Sequence, residues 1–450
     1  MLFLDRCVRG IRKMKKIVKF GGSSLADGSQ FKKVHDIIVD DQTRQYVVPS
    51  APGKRFKEDI KVTDLLYQAY EHVEMEDFES IFKQIEQRYY DIQNELDIKI
   101  DLKVEFDEIK ANFKNKMGKE YAASRGEYLN GKLLAAYLGF TFIDAKDVIF
   151  IDENGNYDET KTDPILSQKL KENQYVVIPG FYGASSLDPT KVRTFSRGGS
   201  DITGSIVAKC GECDLYENWT DVSGFLMADP RIVKDPAPIE MITYRELREL
   251  SYMGASVLHE NSIFPIRKMG IPIQIKNTNR PYDQGTMIVE STCHQSKHII
   301  TGISGMKDFA TIQIEKEMMN SEIGFARKVL QVLEDQHISL EHMPTGIDTM
   351  TLVVSMNGFI EKEQEVLAGL HKAVRPDSIE LNSSVALIAV VGRGMKDGHG
   401  VAAKVFKALS DHKINVVMMD QGSSQLNIII GVKNKYFEQA IQAIYDAFIF

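Results

Sequence analysis

Residues 17–24 read IVKFGGSS, and how this stretch is read decides the fold. A short apolar run ends in two glycines and two hydroxyl residues, with Lys19 just ahead of the glycines. Continuous apolar runs of this length fit strands buried on both faces of a largely parallel sheet. Glycines let backbone approach phosphate oxygens, and the amides of a following helix add donors and a positive dipole end. In the familiar phosphate loop the lysine follows the glycines. Here it precedes them, where it can place a point charge on a phosphoryl group in transfer. A strand–Gly–Gly–helix turn with no ligand fits the same residues, and the stretch alone does not separate the two.

Outward from this element, apolar strands alternate with helical stretches as far as about Val289. The expected strands are KIVKF, QYVVPS, FTFIDA, QYVVIPGF, KVRTF, CDLYENWTD and IPIQIKN. In the first helix Phe31, Val34 and Ile38 mark the buried face, and Ser29 is the expected cap. Residues 71–118 are charge-rich, with Phe78, Ile81, Ile85 and Tyr89 at helical spacing; they read as a solvated helical insertion with one packed face. Asn154–Gly155, inside residues 152–163, signals an exposed hairpin or loop.

Residues 291–304 lack a clear period and read as a linker, after which the chain repeats itself. GFARKVLQVLEDQHISLEHMPTG from Gly324 aligns without gaps with GVAAKVFKALSDHKINVVMMDQG from Gly400. An offset this large suits a duplicated small domain rather than a solenoid. Each copy reads strand, Gly-opened helix, strand, strand, then a closing helix, which predicts two ferredoxin-like βαββαβ units. Neither copy has a clustered catalytic set, so binding or regulation is expected of them.

Two further Gly-containing elements follow strand ends in the first part. RTFSRGGSD (193–201) puts Arg197, a planar bidentate donor, beside Gly198 and Gly199. That suits a carboxylate or phosphate, although Ser200 or Asp201 would also serve as a plain helix cap. NWTDVSGFLMADPRIVKDP (218–236) carries Thr220, Asp221 and Arg231 on a strand end and irregular loop, where nucleotides bind in open α/β sheets; an ordinary surface loop reads the same way. In SRGEYLNGKLLAAYL (124–138), Glu127 is placed at the start of an apolar helix. There it either complements the helix dipole or pairs with a substrate amino group. His259 reads as a packed histidine. Glycine cradles, cations and a polar pocket together point to phosphoryl transfer to a small zwitterion.

The bulk numbers set the limits. The chain has 450 residues and a net charge of -8, with no basic block, which argues against a nucleic-acid surface. Four cysteines (Cys7, Cys210, Cys213 and Cys293) are too few for a disulfide framework, and the CGEC pair has no second half to make a zinc site. They are expected to be free thiols. No protein-built metal site is expected, no apolar run reaches membrane-span length, and a cytoplasmic protein is expected. Residues 1–13 read as a disordered extension ahead of an alternative start at Met14.

KFGGSS, SRGE, RTFSRGGSD, NWTDVSGFLMADPR and GASVLHE occur in the order found in aspartokinases of the amino-acid kinase superfamily. The tandem repeat resembles that family's paired ACT domains. The resemblance covers nearly the whole chain from Met14 and implies an α/β amino-acid kinase domain over 14–290, with a parallel open sheet sandwiched by helices. A linker (291–304) and two ACT domains (305–380 and 381–450) would follow. The implied activity is transfer of the ATP γ-phosphoryl group to the β-carboxylate of L-aspartate. That is the first step towards lysine, threonine, methionine and diaminopimelate. Mg2+ would be carried in on the nucleotide.

By the same resemblance Lys19 is the catalytic lysine, while Gly21, Gly22 and Ser23 hold phosphate. Arg197 clamps the substrate α-carboxylate, Glu127 pairs with its ammonium, and Thr63 adds a polar contact. Gly198, Gly199 and Ser200 belong to the substrate loop, where Ser200 and Asp201 orient the substrate and the catalytic lysine. Thr220, Asp221 and Arg231 match the nucleotide loop. The sequence departs from relatives at Leu226 (tyrosine in some), Ser256 (lysine) and Glu260 (proline), so Leu226, Ser256 and Val257 carry the nucleotide contact with altered chemistry. Met319, Phe325, Ser339, Leu340, Glu341 and Thr345 align with an end-product effector site, lysine in many relatives; Phe325 and Leu340 also read as core. The resemblance further implies a homodimer through the ACT domains, or a dimer of such dimers.

Overall fold

The computed structural model describes residues 14–196, 198–254, 258, 264–292, 297–396 and 398–449. It forms two compact units, one of Met1–Phe225, Glu240–Tyr244 and Val257–Thr292, the other of Leu226–Ile239, Arg245–Ser256 and Cys293–Phe450. Among the described residues no helix is long and apolar enough to cross a membrane.

The strands of the first unit are β1 (Lys16–Phe20), β2 (Arg44–Pro49), β3 (Thr141–Phe142), β4 (Phe150–Ile151), β5 (Val176–Val177), β6 (Tyr182–Ser185), β7 (Val192–Thr194), β8 (Leu215–Thr220), β9 (Met241–Thr243), β10 (Ile273–Asn277) and β11 (Thr286–Val289). Eight of them form one sheet in the order β3-β5-β2-β1-β8-β10-β11-β9. From β3 to β10 every neighbouring pair is parallel, and β11 then runs antiparallel to β10. Ile17, Val18, Val47 and Val48 are fully buried, as strands covered on both faces require. The seven expected strands contain β1, β2, β3, β5, β7, β8 and β10, but β3 and β5 pair over only two residues each. The KVRTF strand, β7, lies in a separate small sheet, β4-β6-β7, rather than in the main one.

Helix Gly28–Asp40 buries Phe31, Val34 and Ile38 as its spacing predicts. Its cap, however, is Asp27, which accepts from the Gln30 amide, while Ser29 donates to the Asp27 carboxylate. The acid wins because it lies at the N-cap, one residue before the helix, whereas Ser29 is already inside it. The charge-rich stretch forms helices Phe78–Glu95 and Leu102–Lys114. Phe78, Ile81, Ile85 and Tyr89 are buried, and Phe82 meets Phe106 and Phe113 edge to face. In residues 152–163, Gly155 turns with φ +79° under an Ile151–Tyr157 bridge; helix Glu159–Glu172, capped by Asp158, takes the remainder. Cys210 and Cys213 are buried thiols outside any disulfide, and burial pushes the Cys210 thiol up, reinforced by the Asp163 carboxylate beside it. Cys7 and Cys293 lie outside the described residues.

The second unit is built on one antiparallel sheet, β13-β12-β14-β16-β15, of β12 (Gly302–Glu315), β13 (Thr349–Ser355), β14 (Ser378–Val391), β15 (Met418–Asp420) and β16 (Asn427–Lys433). The internal repeat is visible in it. Gly324 and Gly400 are both left-handed N-caps (φ +81° and +79°), opening helices Phe325–Asp335 and Val401–Asp411. The two long strands are common to both copies. The first part of β12, Gly302–Met306, pairs with the last part of β14, and Thr311–Glu315 pairs with its first part; the register shifts between Met306 and Thr311. Within this unit Glu246 is fully buried. It accepts from Thr301 Oγ1 at 2.5 Å, from the Arg393 amide at 2.9 Å and from the Arg393 guanidinium at 2.9 Å.

Candidate functional site

β1, β2, β8 and β10 all point the same way, so their carboxyl ends form one edge of the sheet. That edge is where ligands bind in open α/β folds. In the register of β1, Lys19 stands between Val48 of β2 and Asn218 of β8. Its Nζ lies 2.6 Å from Asp201 Oδ1 and 3.5 Å from Asn218 Oδ1, and the Asn218 amide donates to the same Asp201 oxygen at 2.9 Å. Lys19 is 8% exposed. A nearly buried ammonium is thus held by one carboxylate and one amide oxygen, with Gly21 beside it.

The Gly-Gly element opens a short 3₁₀ turn, Gly22–Leu25, and not the α-helix itself, which starts only at Gly28. Asp27 intervenes as that helix's cap, so the amides that face the strand end belong to the turn. Gly21 donates to Trp219 O at 3.0 Å. Gly22 presses on the loop after β2: a Cβ there would sit 2.9 Å from Ala51 O, and one on Gly53 would meet Gly22 C at 2.6 Å. Gly53 N also donates to Gly22 O at 2.8 Å. Ser23 is half-buried at the turn, and Ser24 bonds Thr278 Oγ1 at 2.7 Å.

Helix Gly199–Cys210 begins at Gly198, whose φ of +60° makes it a left-handed N-cap without a side-chain bond. Neither Ser200 nor Asp201 caps the helix, since both lie inside its first turn. Asp201 turns its carboxylate to Lys19 instead. Gly180 packs so closely that a Cβ would come 2.6 Å from Ser200 Cβ. Arg197 lies outside the described residues, as do Ser256, Val257, His259 and Glu260.

Glu127 is not at a helix start. Helix Lys119–Leu138 begins eight residues earlier, so a dipole role is removed. The carboxyl is 6% exposed, and burial pushes its pKa up to about 8 against the Ala51 amide, which favours the charged form. Its Oε2 has no partner. Gly126 allows this approach, since a Cβ would touch Ala51 Cβ at 2.8 Å. Arg125 of the same motif turns away, its guanidinium 4.5 and 4.4 Å from the Tyr121 and Tyr128 rings and bonded to Ser124. Thr63 is half-buried in helix Val62–Glu71, near that helix's start.

Thr220 and Asp221 lie at the carboxyl end of β8, Thr220 donating to the exposed Asp221 carboxylate at 3.2 Å. Asn277 at the end of β10 donates to Asp221 O and to Ser223 Oγ. Leu226 and Arg231 belong to the second unit: Leu226 bridges to Pro238, and Arg231 is exposed and paired with Asp229 at 2.6 Å. Also in the second unit, Met319 and Phe325 are buried core residues with Leu340 packed against them, while Ser339 and Thr345 are exposed. Glu341 accepts from the Tyr252 hydroxyl. Among the described residues no three His, Cys, Asp or Glu side chains group as a metal cage.

Residue-by-residue reading missed Asn218 and the loop Ser50–Gly53. Asn218 is an amide inside a strand that is otherwise apolar or paired, a detectable anomaly. The loop announces itself only as Ala-Pro-Gly after β2, and nothing local says that it faces Gly22.

Comparisons with known proteins bear on the family and the fold. The model of the amino acid kinase family matches residues 14–277, and an ACT domain model matches 388–448. Aspartokinase 3 of Bacillus subtilis is 39% identical over 96% of this chain and 98% of its own. The aspartate kinase of Clostridium acetobutylicum superimposes with a TM-score of 0.90 at 51% identity, over 96% of this chain and all of that one. The E. coli aspartokinase III structures, with aspartate and ADP (R-state) and with lysine and aspartate (T-state), share the fold at TM-scores of 0.74 and 0.73 and 22% and 23% identity. They cover 96% and 97% of this chain and nearly all of their own.

Proposed function

The chain belongs to the amino acid kinase family, among its aspartokinases, and from that premise we propose a role for each part of the site. The enzyme is an aspartate kinase with regulatory ACT domains. The observation that carries the assignment of roles is the meeting of Lys19, Asp201 and Asn218 beside Gly21 at the strand ends.

In this reading an oxygen of the aspartate β-carboxylate attacks the γ-phosphorus of ATP as the bond to ADP breaks. Gly21, Gly22 and Ser23 hold phosphate oxygens. Lys19 shifts from Asp201 towards the charge that develops on the phosphoryl group, and Asp201 keeps the ammonium aimed meanwhile. Glu127 takes the substrate ammonium, with Thr63, Arg197 and the segment Gly198–Ser200 completing the acceptor pocket. Thr220, Asp221, Leu226, Arg231, Ser256 and Val257 are assigned to the nucleotide. Mg2+ travels on the ATP phosphates, where it supplies charge neutralisation.

The catalytic domain is taken as 14–290 with a linker over 291–304. The ACT copies are 305–380 and 381–450, and β12 and β14 cross between them. Lysine is the effector proposed, at Met319, Phe325, Ser339, Leu340, Glu341 and Thr345; the buried side chains of Met319 and Phe325 leave their backbone to make the contact. Exposed Met318, Ile323 and Ile347 in the first copy support a homodimer through this region. The pathway products proposed are lysine, threonine, methionine and diaminopimelate.

A coupled assay of ADP release with aspartate, glutamate and carbamate as acceptors tests the centre of this reading. Turnover with aspartate alone, lowered by lysine, is expected. Equal turnover with glutamate would overturn the acceptor assignment, and insensitivity to lysine the effector assignment.

A further inference from the structure

Three residues beyond Glu127, on the same helix Lys119–Leu138, lies Asn130, which is completely buried. Its Nδ2 donates to Ser50 O at 2.6 Å, a bond that fixes which way the amide faces. The opposite atom, Oδ1, has no hydrogen-bond partner, and neither has Glu127 Oε2. Two buried acceptors without donors therefore stand one helical turn apart on one face, against the same short loop: Ser50 receives Asn130 and the Ala51 amide meets Glu127. Native interiors rarely leave such atoms unpaired.

The chemistry of the pair selects its ligand. With Glu127 ionised, both free atoms accept and neither donates, so the missing group must bring several donors. A primary ammonium brings three and a positive charge. The chain's own nearby cation does not supply them, because Arg125 is held by Tyr121, Tyr128 and Ser124. We propose that Asn130 is a specificity-determining residue whose Oδ1 and Glu127 Oε2 together receive the ammonium of the amino-acid substrate. The inference rests on the assignment of Glu127 to that ammonium and adds a second, uncharged acceptor. One carboxylate would attract any cation, whereas the two acceptors reward a group with several N–H bonds. The pocket thereby separates an α-amino dicarboxylate from the same dicarboxylate without its amine.

The test compares aspartate with succinate, which lacks only the amine, by isothermal titration or by competition against aspartate turnover. Asn130→Ala is expected to raise the aspartate Kd about tenfold while the succinate and ATP constants move less than about twofold. Asn130→Ser, which restores an oxygen at the site, is expected to recover part of the loss. Comparing two ligands within each variant removes any shared effect of partial unfolding. Glu127→Gln is the control for the underlying assignment. A succinate-to-aspartate ratio unchanged in Asn130→Ala but collapsed in Glu127→Gln would overturn the role of Asn130 and leave Glu127 in place. A ratio unchanged in both would overturn the ammonium site altogether.

Discussion

Lys19 Nζ lies 2.6 Å from Asp201 Oδ1, at the end of the central strand of the main sheet. The two side chains come from residues far apart in sequence, and both are largely shielded from water. A cation so placed has its charge balanced by a neighbouring carboxylate.

Removing that cation tests the arrangement most directly. Lys19→Ala is expected to lower kcat by about a hundredfold or more, because the lost contact is strongest in the transition state. ATP affinity, measured by titration with a non-hydrolysable analogue, is expected to change far less. A variant that loses ATP binding and kcat in parallel would make Lys19 a ground-state anchor instead.

Asn218 holds the same carboxylate from the neighbouring strand. Asn218→Ala leaves Lys19 and Asp201 in place but frees one side of the acid, so a loss in kcat of about tenfold is expected. The KM for ATP should stay near its starting value. Wild-type turnover in this variant would show that Lys19 and Asp201 orient each other unaided.

The Glu127 carboxyl gives a pH signature. Its pKa is raised to about 8 from the ordinary 4.5 by burial, so the folded protein holds a proton that the unfolded chain has already released. Its contribution to stability is therefore complete below about pH 4.5 and is lost as pH rises through about 8. Glu127→Gln, which cannot ionise, should melt higher than the parent at pH 9 and about level with it at pH 5. The aspartate Kd of the parent should fall as pH rises towards 8, where the carboxylate forms. Parallel melting curves at both pH values would contradict the buried, unpaired acid.

Close backbone contact at Gly22 and Gly53 predicts a steric effect with no charge involved. A methyl at position 53 would lie 2.6 Å from Gly22 C, and backbone cannot swing aside as a flexible side chain does. Gly53→Ala should therefore raise the KM for ATP several-fold while aspartate affinity is less affected. Unchanged kinetics for both substrates would mean that the 50–53 loop does not shape the phosphate turn.

In the second unit, Glu246 is a buried acid whose carboxylate Arg393 answers from the end of β14. Arg393→Met removes the guanidinium from that buried carboxylate, and a loss of about 3–5 kcal/mol in denaturant unfolding is expected. Adding Glu246→Gln should recover a large part of it. A loss from Arg393→Met below about 1 kcal/mol would place the pair in the class of surface bridges.

Much of this was legible in the chain. Apolar runs such as IVKF and YVVP mark central strands because both faces are buried, and periodicity locates the helices that cover them. Gly324 and Gly400 announced the duplication because a left-handed N-cap leaves few other choices. What escaped was set by tertiary partners. Glu127 looked like a helix-start acid, yet the helix runs through Gly126, whose missing side chain admits Ala51. Ser200 and Asp201 looked like caps, but Gly198 adopts the capping conformation and leaves Asp201 for Lys19. Asn218 and the 50–53 loop matter through neighbours that no local pattern names.

The two long strands of the second unit have a genetic corollary. β12 and β14 pair with each other along their length, and each adds a second neighbour along one half only, β13 on Phe309–Glu315 and β16 on Val385–Val391, with Asp308 in a left-handed conformation between the two halves of β12. A fragment carrying only the second copy would lack Gly302–Met306, which pair with Leu387–Val391 of β14. The duplicated halves can therefore no longer be exchanged, deleted or transplanted singly by recombination. Because β12 and β14 each carry residues of both halves, the pair must evolve as one module.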